Sequence, residues 1–305
     1  MRQIAAVLIC VLACASNPSA ASTQHNRKHS STPTHGHKQK PHKAKPARQV
    51  SGPSFGDSPQ VLALAEDLAQ QHNLPVAWVR QQLSHARQLP GVPKLVLPPP
   101  VSVPKNWRAY RERFIEPRRI DAGVQFWQTY QAALQRAEQT YGVPAEMIVG
   151  IIGVETFYGQ HMGNYRVLDA LTTLALNFPQ AHPRATERQA FFTSELGHFL
   201  VQMRQQAPGA GPITGSFAGA MGWPQFMPSS WARFAVDFDG DGRIDLLNSP
   251  VDAIGSVANY FKAFGWQTGM PTHYPVKFDD ARLDKPSLLA PDILPSFSVS
   301  NFTAK

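Results

Sequence analysis

The chain of 305 residues is 43% hydrophobic and 16% charged, which gives material for one large core or two smaller ones and excludes a collagenous or globally disordered chain. Its net charge of +8 has the sign of a nucleic-acid binder, but no Asp or Glu precedes Asp57, whereas Arg2, Arg27, Lys28, Lys38, Lys40, Lys43, Lys45 and Arg48 do, and these eight account for the whole excess. The body is electrically balanced, so its partner need not be a polyanion and no nucleic acid is expected.

Met1-Arg2, the apolar run from Ile4 to Ala15 and the small residues Ser19-Ala20-Ala21 read as an export signal over residues 1–21, too short for a permanent membrane span. Both cysteines, Cys10 and Cys14, fall inside it, so the body has no disulfide. Val11-Leu12-Ala13-Cys14 resembles the box in which a bacterial lipoprotein is cut and acylated; ordinary cleavage after Ala20 or Ala21 is the alternative. Residues 22–55 carry five histidines (His25, His29, His35, His37, His42) among Lys, Arg, Ser, Thr and Pro with little to bury. They read as a disordered basic tether, and the irregular histidine spacing favours a solvated linker over a metal site.

A helical element is expected over 56–120. Ser58-Pro59 starts one helix with Val61, Leu62, Leu64, Ala65 and Leu68 at helical spacing, and Leu74-Pro75 starts a second with Trp78, Val79 and Leu83. A proline cluster from Pro90 to Pro104 breaks regularity before a short helix from Asn106 to Phe114. The main core is expected over 121–270. It opens with one long helix from Asp121 to Tyr141, whose Val124, Trp127, Ala132, Leu134 and Ala137 face inward. Further helices are expected near Glu187 to Gln206 and Pro250 to Phe264, and residues 271–305 read as an irregular tail.

The stretch that carries chemistry is V-P-A-E-M-I-V-G-I-I-G-V-E-T-F-Y-G, beginning at Val143. Tyr141-Gly142 caps the preceding helix and Pro144 suits the first turn of a new one. Glu155 then lies near its C-terminal end, where the helix dipole and the apolar neighbours Ile151, Ile152, Val154 and Phe157 disfavour ionisation. A carboxyl that keeps its proton is what a general acid needs. Glycosidases usually pair two carboxylates, yet this apolar run offers one.

G-V-P-A-E-M-I-V-G-I-I-G-V-E-T-F-Y-G, L-D-A-L-T-T-L-A, S-F-A-G-A-M-G-W-P-Q-F-M-P-S-S-W and V-D-A-I-G-S-V-A-N-Y-F-K-A-F-G-W, in that order, resemble the B-type lytic murein transglycosylases of the bacterial cell wall, from about Val61 to Trp266. The resemblance implies a mainly α fold with a lysozyme-like core. It also implies cleavage of peptidoglycan between N-acetylmuramic acid and N-acetylglucosamine without water, leaving a 1,6-anhydromuramyl end. Glu155 would be the sole acid and base, with no catalytic cofactor, in a monomeric periplasmic enzyme held at the outer membrane if Cys14 is acylated. Ser216 and Gln225 match cleft positions that bind and orient. Phe226, Tyr110 and Tyr260 match cleft aromatics, with plain core packing the alternative for Tyr260. Of the arginine pair that suits peptide carboxylates only Arg188 carries over, since Glu187 stands beside it.

Asp237, Asp239, Asp241, Arg243, Asp245 and Asn248 fall at positions 1, 3, 5, 7, 9 and 12 of an EF-hand-like loop over 237–248, with Gly242 at the sixth. Asn248 stands where a bidentate Glu is usual, so a weak structural calcium site is expected, with an ion-free acidic loop as the alternative. Family members continue well past Trp266 and return a Tyr- and Asn-bearing stretch to the cleft. The C-terminal part of the family fold is therefore expected to be missing. Three functions stay open: turnover by Glu155, peptidoglycan binding without turnover, or a calcium-sensing module.

Overall fold

A computed structural model describes residues 51–98, 106–205, 211–289 and 297–304. The expected export signal, the Cys14 box and the tether up to residue 50 lie outside them. The helices are α1 (Pro59–His72), α2 (Val76–His85), α3 (Val92–Leu95), α4 (Trp107–Phe114), α5 (Pro117–Thr129), α6 (Gln131–Tyr141), α7 (Ala145–Thr156), α8 (Val167–Leu176), α9 (Ala185–Gln205), α10 (Pro228–Phe234), α11 (Pro250–Ala263), and the short α12 (Lys285–Leu289) and α13 (Val299–Thr303). A two-residue antiparallel pair, β1 (Tyr165–Arg166) and β2 (Thr214–Gly215), forms the only sheet among the described residues. None of the described helices is long and apolar enough to cross a membrane.

The helix starts follow local chemistry. The Ser58 hydroxyl accepts from the Val61 amide ahead of α1, Asn106 does the same for Ala109 ahead of α4, and Ser249 for Asp252 ahead of α11. Asn73 and Gly142 end α1 and α6 in the left-handed conformation.

Two cores adjoin. In the first, Val61, Leu68, Val79 and Leu83 of α1 and α2 pack with Leu168, Leu171 and Leu174 of α8 and Phe192, Leu196 and Leu200 of α9. Nearly all of α8 is buried, including Asp169, which accepts from the Arg87 amide at 2.9 Å and from Arg166 Nη1 at 3.0 Å. The Leu89 amide donates to Thr173 Oγ1 at 3.1 Å. The N-terminal helices thus share a core with α8 and α9. In the second core, Phe126, Leu134, Ala137, Ile148 and Ile152 of α5 to α7 meet Ile254, Val257 and Ala258 of α11. Burying each large aliphatic side chain contributes about 1.5–3 kcal/mol.

The single helix expected from Asp121 to Tyr141 is two, broken at Tyr130 (φ −112°, ψ 24°), whose ring stays packed on Phe126 with centroids 4.8 Å apart. Its inward face also differs. Val124 is 51% exposed and Ala132 is exposed, and Trp127 is 36% exposed, while Gly123 and Phe126 turn inward. The cause is a tertiary contact: a Cβ on Gly123 would stand 2.4 Å from the Tyr158 hydroxyl, so the glycine marks where α5 meets the end of α7. The tail is less irregular than expected, since α12, α13 and a 3-10 turn at Asp280–Arg282 lie in it.

Candidate active site

Glu155 occupies the last turn of α7, one residue before its end. Burial pushes its carboxyl up to about 8. Among the described residues no hydrogen bond or ion pair reaches this carboxylate to draw it back. At neutral pH it holds a proton.

The chain leaves α7 abruptly. Phe157, Tyr158 and Gly159 are all left-handed, with φ of 52°, 55° and 79°. For the two residues that carry a Cβ this costs about 1–3 kcal/mol each, so surrounding contacts must hold the turn. Phe157 N donates to Gly153 O at 3.1 Å, and Thr156 Oγ1 accepts from Gly159 N at 3.0 Å while donating to Trp223 O at 3.0 Å. The Tyr158 hydroxyl is wedged between α5 and α7, since a Cβ at Gly153 would also come within 2.4 Å of it. Gly153→Ala should therefore destabilise by about 1–3 kcal/mol, although alanine is the better helix former by about 1 kcal/mol. Thermal unfolding checks this: a raised melting temperature would mean the tyrosine moves aside freely.

The loop from Ser216 to Phe226 is bonded to the end of α7 through Thr156 Oγ1 and Trp223 O. Ser216 Oγ accepts from the amides of Ala218 and Ala220 at 3.2 and 3.0 Å, and the loop turns on left-handed Gly219 and Gly222. Gln225, itself left-handed at φ 50°, donates Nε2 to Gly222 O at 2.9 Å and to Met162 O at 3.2 Å. This ties the loop to the segment that leaves α7. Its Oε1 has no partner among the described residues.

Phe226 is 7% exposed, and its ring centroid lies 5.4 Å from that of Tyr260 on α11. Burial, and then the charge of Glu155, push the Tyr260 hydroxyl up. Tyr260 also packs against Phe234 and Phe264, as the core-packing alternative expects.

Tyr110 lies on α4 between Trp107 and Phe114, at 5.6 and 5.0 Å. Phe114 leads to Arg119, whose guanidinium also covers Phe157. Arg188 belongs to the first core: it is 8% exposed, with its guanidinium over Phe191 and Phe192. In the structure it does not project as a free cation.

In the loop from Asp237 to Asn248, Asp237 accepts from the amides of Gly240 and Gly242, both left-handed, while Asp239 and Asp241 accept from the amides two residues on. The carboxylates that gather within 4.8 Å are those of Asp237, Asp239 and Asp252. Asp252 accepts from the amides of Phe238, Asp239 and Asp245 and so staples the loop to the helix. Asn248 turns its Nδ2 toward Asp245, at 2.9 and 3.2 Å from the two carboxylate oxygens. A set of hard oxygen donors around two left-handed glycines fits a calcium ion in kind.

Sequence reasoning missed Thr156, Arg119 and Trp223 as supports of the acid. Only the unusual backbone after Glu155 reveals why they matter, and no residue type there announces it.

A mainly helical body with one buried, proton-holding carboxyl at a helix end is of the lysozyme-like class. The profile of the Transglycosylase SLT domain matches residues 57–290, past Trp266, and the chain belongs to that family. It is 45% identical over 226 residues to the membrane-bound lytic murein transglycosylase B of Escherichia coli (strain K12), covering 72% of this chain and 60% of that relative. Among solved structures it is similar to the soluble lytic transglycosylase SltB1 of Pseudomonas aeruginosa, with TM-score 0.63, 46% identity, and 70% of this chain on 69% of that one. It is also similar to the Escherichia coli lytic transglycosylase SLT35 in complex with calcium, with TM-score 0.62, 45% identity, and 72% of this chain on 68% of that one.

Proposed function

We propose that the chain is a peptidoglycan lytic transglycosylase that cleaves the β-1,4 bond between N-acetylmuramic acid and N-acetylglucosamine without water, with Glu155 as its only acid and base. The observation that carries this reading is a lone carboxyl in the last turn of α7 that burial pushes up to about 8, with its charge felt at Tyr260, whose ring packs on Phe226. Glu155 gives its proton to the glycosidic oxygen, and the bond to the muramyl C1 breaks with the electron pair leaving on that oxygen. The substrate's own N-acetyl carbonyl supports the developing cation. The carboxylate then takes the proton of the muramyl 6-hydroxyl as that oxygen closes on C1. The acid is regenerated, no water is consumed and no cofactor enters a step.

Gln225 Oε1 and the Ser216 loop are assigned to the N-acetyl and hydroxyl groups, and Phe226, Tyr260 and Tyr110 to the apolar faces of the sugars. Arg188 is the candidate for stem-peptide carboxylates, which requires its side chain to leave the Phe191–Phe192 face. The loop from Asp237 to Asn248 is assigned one structural calcium, held by Asp237, Asp239, Asp241 and Asp245, the Arg243 carbonyl and, weakly, Asn248. We place the protein in the cell envelope, working as a monomer in the periplasm on peptidoglycan, either anchored to the outer membrane through an acylated Cys14 or released by cleavage after Ala20 or Ala21.

Digestion of purified sacculi with mass spectrometry of the products tests the reading. Muropeptides lighter by one water at the muramyl end are expected. Hydrated reducing ends would make it a hydrolase, and sacculus binding with no released product would make it a wall-binding protein.

A further inference from the structure

The turn that follows Glu155 is held from outside its own helix. Arg119, on α5, donates Nη1 to Gly153 O, two residues before the acid. Its guanidinium lies over the Phe157 ring, two residues after the acid, with Cζ 4.6 Å from the centroid, and 5.5 Å from the ring of Phe114 on α4. Its Nε is buried with no hydrogen-bond partner among the described residues, while the residue as a whole is half-buried.

Gly153 O also accepts from Phe157 N at 3.1 Å, the bond that closes the last turn of α7. One cation thus grips a carbonyl on one side of Glu155 and an aromatic ring on the other. That ring belongs to a residue held at φ 52°, a conformation that relaxes unless its side chain is fixed. A positive group at a helix C-terminus is also favoured by the helix dipole. A lysine can supply the charge and a donor, but it lacks the planar fork that bonds a carbonyl and stacks on a ring together.

We infer that Arg119 is a positioning residue for Glu155: through Gly153 O and the Phe157 ring it fixes the last turn of α7 and hence where the acid points. The inference rests on the reading of Glu155 as the reacting acid. Arg119 itself is bonded to the helix end, not to the carboxylate. It sets geometry, and a displacement of about 1 Å at a reacting group can cost on the order of a hundredfold in rate.

The test is steady-state cleavage of soluble glycan strands by the wild type, Glu155→Gln, Arg119→Met, Arg119→Lys, Phe157→Leu and the Arg119→Met/Phe157→Leu double variant, each normalised to folded protein. Arg119→Met should lower kcat about tenfold with KM within twofold of wild type, and Arg119→Lys should recover part of the loss. The double variant should be no slower than the worse single one, because both changes break the same contact. A kcat for Arg119→Met within twofold of wild type, a loss carried by KM, or losses that multiply in the double variant would overturn the inference. If the Met variant does not fold, Arg119→Lys decides: a several-fold fall in kcat at unchanged KM and melting temperature supports the role, and wild-type kcat overturns it. A wild type that releases no anhydro product would overturn the parent reading and this role together. An active wild type, a silent Glu155→Gln and an unimpaired Arg119→Met would overturn this role alone.

Discussion

Glu155→Gln is expected to reduce release of anhydro products by at least about a hundredfold and up to ten-thousandfold, the usual range for a positioned acid or base. Here one side chain serves in both directions, so the loss should lie toward the upper end. The same substitution should change stability with the opposite sign. Burial pushes the folded carboxyl up to about 8, above its ordinary value of 4.5. Between those two values the folded state holds a proton that the unfolded state has released. Stability from this group is therefore full below the ordinary value and is lost as pH rises toward 8, by at most about 1.4 kcal/mol per pH unit. Gln carries no charge and removes this slope. Glu155→Gln should melt higher than wild type at pH 8, and the gap should close toward pH 4.5. Parallel melting curves across this range, or retained turnover, would show that Glu155 is an ordinary solvated carboxylate and that the acid lies elsewhere. The rate profile follows the same logic: activity that needs the protonated form should decline as pH passes 8.

The parts of the molecule that were legible beforehand are those decided by neighbours in sequence. Ser58-Pro59 and Ser249-Pro250 announce helix starts because a hydroxyl and a missing N–H meet the first-turn requirements locally, and Gly142 announces a stop. Glu155 stood out because a single acid at the end of an apolar run has few bland explanations. What was not legible depends on distant partners. The inward face of α5 was misread because Gly123, which looks like a weak helix residue, is the seat of the Tyr158 hydroxyl. Arg119 is one of several arginines between Trp107 and Ile120, and nothing local says which one turns inward. That the Arg188 guanidinium would lie over rings was not foreseen either, although Phe191 and Phe192 follow it at i+3 and i+4, the spacing that lets both rings cover it. α8 escaped assignment because its apolar residues run all round, with no stripe to count, as befits a helix buried on nearly every side.

Asp252→Ala should destabilise the fold by about 3 kcal/mol or more. Asp252 is 1% exposed and its two oxygens accept three backbone amides, from Phe238 at 2.7 Å, Asp239 at 3.2 Å and Asp245 at 2.8 Å. Truncation leaves those donors unpaired, and each buried unsatisfied group costs about 1–3 kcal/mol, with charge-assisted bonds at the stronger end. Water reaching the partly exposed loop offsets some of this, which keeps the expectation near the low end of the sum. Asp252→Asn retains the shape and one acceptor, so it should cost roughly half as much. The residue links two features: its carboxylate groups with those of Asp237 and Asp239, and it sits in the first turn of α11, the helix that bears Tyr260. If the loop holds calcium, ion binding adds to stability only where the loop is docked on α11. Calcium should then raise the melting temperature of the wild type and of Asp252→Asn, and should do so much less in Asp252→Ala. Urea unfolding with and without calcium measures both effects. A loss under about 1 kcal/mol for Asp252→Ala would show that the loop holds its shape through its own Asx turns. An undiminished calcium response in that variant would place the ion on the loop alone.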